Sequence, residues 1–158
     1  MFPSEMRQYL APTRLLYGPG TLSQLGQEVK NMGGSSVLIV SDQGIARAGL
    51  LEGVIEPLSQ AGIPAETFID VPVDPGVACI SQGVELLQAL QADLIVGVGG
   101  GSPMCAAKAI ALVATNGGTI RDYVGFGQFS QSPLPTVCIP TTAGSGTEVS
   151  AVTIITDE

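Results

Sequence analysis

Residues 95–103, IVGVGGGSP, decide the fold of this chain. Apolar residues end at three consecutive glycines, and a serine, a proline and a run of small apolar residues follow. This order is typical of a buried strand, a tight turn and a helix, with Ser102 as the N-cap and Pro103 as the first helical residue. Glycines allow close approach of a ligand, and a helix N-terminus attracts anions. The turn therefore predicts a phosphate site, although a glycine turn that only permits close packing fits the same residues.

The composition argues against several classes of partner and site. The chain has 158 residues, a net charge of −8 and six scattered basic residues, so we expect no nucleic-acid or anionic-membrane partner. No apolar run is long enough to span a bilayer, and the N-terminus lacks a signal-peptide pattern, which predicts a cytoplasmic protein. Three cysteines without a C-x-x-C pair indicate small core residues in a reducing compartment. Because the chain has no histidine, we expect no metal site in it.

Predicted strands alternate with predicted helices along the whole chain. Apolar and β-branched runs predict strands over residues 13–17, 36–40, 65–71, 94–98, 135–139 and 152–156. Capping signals predict helix starts at Thr21, in a capping box with Gln24, and at Asp74 followed by Pro75. Pro57 lies inside a helical pattern and is expected to kink or restart that helix. The alternation predicts an α/β fold, a doubly wound and mainly parallel sheet with helices on both faces.

Polar segments follow three of the predicted strands. Asp42 follows the second strand, the glycine turn follows the fourth, and residues 141–147 follow the fifth. Ligands of such sheets bind at the carboxyl ends of strands, where the strand order reverses, so we expect these segments to meet at one crevice. Asp42 is placed to accept hydrogen bonds from a ribose, or it only caps the next helix; the sequence leaves both interpretations open.

Two segments resemble a known family. Residues 99–108, GGGSPMCAAK, are similar to the motif G-G-G-S-x-x-D-x-A-K of the iron-containing alcohol dehydrogenases. Residues 140–150, PTTAGSGTEVS, resemble their P-T-T-A-G-T-G-S-E-V-T. The first motif is shared with glycerol dehydrogenase and dehydroquinate synthase relatives, whereas the second is more specific. The resemblance covers nearly the whole chain, but only the amino-terminal part of the family's length.

The resemblance implies a Rossmann-like NAD(P)-binding domain over residues 1–158, without the helical carboxyl-terminal domain that carries the family's metal ligands. It implies an oxidoreductase that transfers a hydride between an alcohol and NAD(P), with NAD expected, NADP possible, and the family's iron or zinc not bound by this chain. We expect the chain alone to be catalytically incomplete, with no catalytic residue of its own. The implied cofactor-binding residues are Asp42, Asp74, Gly99, Gly100, Gly101, Ser102, Thr141, Thr142, Ser145 and Thr147. The alternative is a stand-alone nucleotide-binding or interaction module without catalysis.

One residue departs from the family's first motif. Cys105 stands where the motif has an acid. With Ser102 as the N-cap, position 105 is the third helical residue. An aspartate there is expected to complete a capping box and to strengthen cofactor binding or thermal stability by about 0.5–1 kcal/mol. The alternative is that Cys105 packs as a small apolar residue.

The composition also bears on assembly. With 45% apolar and 13% charged residues, and a mean hydropathy of +0.40, the surface is expected to carry apolar patches. We therefore expect a homodimer, or packing against a missing carboxyl-terminal domain. An unpaired edge at the predicted strand 152–156 favours the same outcome. The alternative is that the net charge keeps the chain monomeric.

Overall fold

The computed structural model describes residues 13–157. Within them, the strands are β1 (Val37–Val40), β2 (Ala65–Phe68), β3 (Leu94–Gly99) and β4 (Thr136–Pro140). The α-helices are α1 (Leu25–Asn31), α2 (Gln43–Arg47), α3 (Glu52–Gln60), α4 (Val77–Leu90) and α5 (Gly101–Asn116). Two 3₁₀ helices span Thr21–Gln24 and Ile120–Tyr123. None of the helices in the described part of the chain combines the length and apolar character needed to cross a membrane.

The four strands form one parallel sheet in the order β2-β1-β3-β4. Val37 at the start of β1 pairs with Ala65 on one side and Leu94 on the other. From β1 the chain moves outward to β2, and it then crosses back to β3 on the opposite side of β1. The direction of winding therefore reverses between β1 and β3, which is where sheets of this kind bind ligands.

The strands alternate their side chains between two apolar layers. On one face, Leu38, Val40 and Ile95 pack with residues of α4 and α5. On the other face, Ile39 and Val96 pack with residues of α1 and α3. Both faces of the central strands are buried, which explains why these strands are apolar throughout instead of alternating with polar residues. The prediction of a doubly wound α/β sheet is confirmed.

Glycines at two contact points let helices lie close to their neighbours. A Cβ built on Gly97, in β3, would lie 2.9 Å from Cβ of Ala107 and 3.3 Å from Cα of Met104, both in α5. A Cβ on Gly26, in α1, would lie 2.5 Å from the backbone oxygen of Pro57. These glycines therefore set the separation between α5 and the sheet and between α1 and α3.

A carboxylate fastens the amino-terminal end of the sheet. Asp93 accepts hydrogen bonds from the backbone N–H groups of Ser35 (2.8 Å) and Ser36 (3.0 Å), and from the Ser35 hydroxyl at 2.5 Å. Partial burial works to raise the pKa of Asp93, but the hydrogen bonds from Ser35 and Ser36 outweigh it and lower the pKa below its usual range. The ionised carboxylate therefore connects the segments that directly precede β1 and β3.

Asp93→Asn is expected to lower the free energy of unfolding at neutral pH by about 1–3 kcal/mol, because the amide cannot accept all of these bonds. A lowered folded-state pKa gives stability that is present above the unfolded pKa of about 3.9 and is lost as the pH falls through the folded value. The gap between wild type and variant should therefore close in acid. Urea unfolding from neutral pH down to about pH 3 measures this, and equal stabilities at neutral pH would contradict it.

Two of the predicted strands are wrong. Residues 13–17 form no strand, and residues 152–156 contribute only a single parallel bridge, between Gly76 and Thr156. The Thr156 N–H donates to the Pro75 carbonyl over 2.9 Å, and no ladder follows. Apolar residues satisfied the strand pattern at both places, but no strand among the described residues pairs with them. The expected strand edge at 152–156 is absent with its strand, and the oligomeric state stays a prediction.

Several predicted helix boundaries also differ. Thr21 is not an N-cap: its hydroxyl donates to the Gly18 carbonyl over 2.7 Å, and Gly20 with φ 79° precedes the 3₁₀ turn. The helix α3 runs through Pro57 without restarting. Asp74 does not start a helix, because α4 begins at Val77 and Asp74 has φ 53°. The third predicted strand ends at Phe68, three residues earlier than expected.

Candidate functional site

A crevice of about 570 Å³ lies at the carboxyl ends of β1 and β3, where the winding reverses. Four segments line it, namely residues 42–45, 70–73, 100–103 and 141–142. Six of the ten predicted cofactor-binding residues are among them: Asp42, Gly100, Gly101, Ser102, Thr141 and Thr142. The structure thus brings together segments that lie up to a hundred residues apart. Their binding role stays a prediction.

The helix α5 begins earlier than its sequence predicts. Gly100 is the N-cap, with φ −83° and ψ −159°, and Gly101, Ser102 and Pro103 are the first three helical residues. The prediction of Ser102 as the N-cap is therefore wrong, because Gly100 already has the extended backbone that an N-cap needs. None of the side chains of the described residues caps this helix end. The N–H groups of Gly101 and Ser102 have no hydrogen-bond partner among the described residues, so they remain available to a ligand.

The structure requires a glycine at only the first of the three consecutive glycine positions, Gly99. Gly99 is required by the fold, because its φ is +140° and an added Cβ would lie 2.8 Å from Cγ of Pro103. Gly100 and Gly101 lack a positive φ, and an added Cβ would meet nothing closer than 3.8 Å and 3.5 Å, respectively. The fold itself would accept a Cβ at both positions. At Gly100 the missing side chain leaves space at the start of α5, whereas a Cβ on Gly101 would already contact Ser145 and Thr147.

Ser102 faces the crevice and contacts the segment that contains Asp74. Its hydroxyl oxygen accepts a hydrogen bond from the Asp74 N–H over 3.3 Å, and its hydroxyl hydrogen has no acceptor among residues 13–157. Ser102 is therefore free to donate to a ligand. Asp74 itself is exposed and does not line the crevice.

Asp42 caps α2 and still has an oxygen to spare. Its Oδ1 accepts from the Ile45 N–H over 2.9 Å, so the capping interpretation holds. Its Oδ2 has no hydrogen-bond partner among the described residues, and it lies 3.5 Å from the position of a Cβ on Gly99. Capping therefore leaves a carboxylate oxygen at the crevice, and contact with a ribose stays a prediction.

The second glycine-bearing motif packs beside the first. The Thr141 N–H donates to the Gly99 carbonyl over 2.9 Å, which extends the pairing of β3 and β4 to the crevice. Ser145 and Thr147 do not line the crevice; they lie against Gly101, each with an atom 3.5 Å from the position of an added Cβ. Their contact with α5 holds the motif in place at the start of the helix.

Comparison with known proteins shows to which family this chain belongs. The sequence profile of the family "Iron-containing alcohol dehydrogenase" matches residues 12–158. The chain belongs to this family. Alcohol dehydrogenase 4 of Schizosaccharomyces pombe is 38% identical over 150 residues, which make up 95% of this chain and 36% of that protein. The NAD-dependent methanol dehydrogenase of Bacillus methanolicus is 36% identical over 152 residues, or 96% of this chain and 40% of that protein.

A solved structure confirms the fold of this member of the iron-containing alcohol dehydrogenases. The crystal structure of a 1,3-propanediol oxidoreductase matches with a TM-score of 0.93 at 32% identity, over 97% of this chain and 40% of that one. The Rossmann-like fold is thereby confirmed. The chain spans about 40% of the length of the relatives it matches.

The lysine of the family's first motif has a structural task here that the sequence did not reveal. Lys108 donates from Nζ to the carbonyls of Thr147 and Ser150, the latter over 2.7 Å. It thereby fastens the second motif to α5. A lone lysine in a helix of small apolar residues was the available signal. The Thr153 hydroxyl adds a bond of 2.7 Å to the Cys105 carbonyl.

Cys105, at the position of the motif's acid, is buried. It is the fifth residue of α5, not the third, so the expectation that an aspartate there would complete a capping box is wrong. The burial agrees with the alternative, a small residue in the core. Nearby, burial raises the pKa of the Cys138 thiol; the charge of Lys108 opposes this shift, and Glu148 adds to it.

Two polar side chains at the crevice were missed by the sequence analysis. Gln43 and Asp70 line it, and Gln43 Nε2 donates to Asp70 Oδ1 over 2.9 Å. Asp70 comes shortly after β2, which is the rule that singled out Asp42 after β1. It was overlooked because the predicted strand ran on to residue 71.

The described residues offer no cluster of metal ligands. Within residues 13–157, no three His, Cys, Asp or Glu side chains lie close enough together to hold a metal ion.

Proposed function

We propose that this chain binds NAD as part of an oxidoreductase that transfers a hydride between an alcohol and the dinucleotide. One observation carries the proposal. The glycines at 100 and 101 are not required by the backbone or by packing, and they lie at an uncapped helix start that faces the crevice. Open space beside free N–H groups is what a pyrophosphate needs. The name of the Bacillus methanolicus relative, an NAD-dependent dehydrogenase, supports the choice of ligand.

The residues present fit a dinucleotide. The N–H groups of Gly101 and Ser102, the Ser102 hydroxyl and the positive end of the α5 dipole would hold the pyrophosphate. The free oxygen of Asp42 would accept from ribose hydroxyls. Thr141 and Thr142 would line another part of the wall.

The dinucleotide, when bound, supplies the hydride acceptor or donor, and this chain's residues bind and orient it. The metal that the family name implies is a different matter. The described residues bring together no donor set for it, so we derive no metal step for this chain. Substrate oxygen activation is therefore not assigned to any residue here.

Calorimetric titration of the 158-residue chain with NADH tests the proposal. We expect binding at one site per chain, and competition by ADP-ribose, which carries the pyrophosphate without the nicotinamide. Circular dichroism should show in parallel that the chain is folded. A folded chain that binds neither compound would contradict the proposal.

The site is expected to prefer NAD over NADP by at least about tenfold, because the carboxylate of Asp42 repels a phosphate on the ribose 2′ position. Asp42→Gly should shift the preference towards NADP, and it should also cost a few tenths of a kcal/mol of stability through loss of the side chain that caps α2. Asp42→Asn is the matched control, since an asparagine still caps but carries no charge. Titration of each variant with NADH and NADPH measures the ratio, and an unchanged ratio in both variants would refute the role of Asp42.

A further inference from the structure

We infer that Asp70, oriented by Gln43, is a second determinant of the preference for NAD over NADP. The inference rests on the proposed dinucleotide function and concerns the adenosine end of the same crevice. Gln43 is the first residue of α2, directly after Asp42, and Asp70 lies two residues beyond the end of β2. Because β1 and β2 are neighbours in the sheet, the segments that follow them meet at its carboxyl edge.

The hydrogen bond between the two side chains fixes the direction of the Asp70 carboxylate. Gln43 Nε2 donates to Oδ1 over 2.9 Å, and both residues line the crevice. Oδ2 of Asp70 has no hydrogen-bond partner in the described part of the chain. The negative charge is thus held at the crevice wall, although Asp70 as a whole is an exposed residue that could otherwise turn towards solvent.

The charges along the crevice all have one sign. Two carboxylates, Asp42 and Asp70, line it, and among the residues described no lysine or arginine does. Arg47, the basic residue nearest in sequence, donates from Nε to the Gln43 backbone carbonyl over 3.0 Å and lies outside the lining. Within residues 13–157, no cation lines the crevice where a phosphate at the adenosine end would lie.

The 2′-phosphate of NADP is the group that these negative charges would repel. Such a group carries about −1.5 to −2 charge at neutral pH, and charges act over a screening length of about 10 Å at 0.1 M salt. Both carboxylates line one crevice, so both repel the 2′-phosphate of NADP. The sequence analysis had identified only the charge of Asp42. NAD lacks this phosphate and does not meet the additional repulsion.

Three variants separate charge, orientation and overall electrostatics. Asp70→Asn keeps an oxygen that accepts from Gln43 but removes the charge. Gln43→Ala removes the hydrogen bond and keeps the charge. Glu85→Gln removes an equal charge from an exposed position on α4, outside the crevice, and is the matched control. Dissociation constants for NADH and NADPH are measured by nicotinamide fluorescence, at low and at high salt.

In Asp70→Asn we expect the affinity for NADPH to rise about 3–10-fold at low salt, while the affinity for NADH changes less than about twofold. The gain should shrink at high salt, and Gln43→Ala should show a smaller gain of the same sign. Glu85→Gln should leave the ratio of the two constants unchanged. A residue that only stabilises the loop would alter the melting temperature without altering this ratio.

The outcome separates this inference from the proposed function. If the wild-type chain binds NADH and Asp70→Asn gives the same NADPH-to-NADH ratio as Glu85→Gln, the inference is overturned and the proposed function stands. If the folded wild-type chain binds neither dinucleotide, the proposed function fails, and the inference fails with it.

Discussion

Replacement of Gly100 by aspartate is expected to weaken dinucleotide binding severely, while the chain remains as stable as before or becomes slightly more stable. Gly100 is the N-cap of α5, its backbone angles suit any residue, and an added Cβ would meet nothing closer than Thr142 Oγ1 at 3.8 Å. An aspartate there is placed to accept a hydrogen bond from the Ser102 N–H, because Pro103, the third helical residue, has no N–H. Together with its favourable interaction with the helix dipole, this gives a gain of up to about 1 kcal/mol.

The same carboxylate takes the Ser102 N–H that the pyrophosphate needs, and its charge repels the pyrophosphate. Loss of these charge-assisted bonds is expected to weaken NADH binding by more than about 100-fold. Gly100→Asn, equal in size and also a good cap, lacks the charge and should weaken binding less. Titration with NADH and thermal unfolding give the two readouts, and a folded Gly100→Asp variant with wild-type affinity would refute the assignment of the site.

Gly97→Ala is expected to have a large effect on stability, lowering the free energy of unfolding by about 1–3 kcal/mol. The added Cβ would lie 2.9 Å from Cβ of Ala107 and 3.3 Å from Cα of Met104, so α5 must move away from β3. A buried helix backbone gives way less easily than the end of a flexible side chain. The start of α5 should shift with the helix, so NADH binding should also weaken, by about tenfold.

Gly53→Ala is the matched control for this substitution. Gly53 is exposed in α3, and an added Cβ would lie an ordinary 3.6 Å from Cδ2 of Leu22. This variant should gain about 0.5–1 kcal/mol from helix propensity. Urea unfolding of both variants gives the comparison, and a Gly97→Ala chain as stable as wild type would contradict the packing role of this glycine.

The strand, turn and helix around residues 94–116 were predictable because every signal there is local. A buried apolar run, glycines and a small-residue helix follow one another, and the helix dipole acts within the same turn. The exact cap was not predictable, since residue preference favours serine over glycine at an N-cap. The backbone of Gly100 had already taken the N-cap conformation two residues before Ser102.

The errors elsewhere depend on partners that are distant in sequence. Residues 152–156 have a strand pattern, but a strand needs a neighbour, and the only pairing within residues 13–157 is the bridge to Gly76. The structural role of Lys108 can be recognised only when its hydrogen bonds to the carbonyls of Thr147 and Ser150 are known. The predicted third strand was too long and included Asp70. The position of Asp70 at the crevice is clear only once β2 is known to end at Phe68 and to pair with β1.

The most direct test of the account is a titration of the isotope-labelled chain with NAD, followed through its backbone amide signals by NMR. The account predicts that the largest shifts fall on Gly101 and Ser102 at the start of α5, with further shifts at Asp42, Thr141 and Thr142 around the crevice. Shifts centred instead on the groove of residues 55, 59 and 62–65, or no shifts from a folded chain at millimolar NAD, would contradict it.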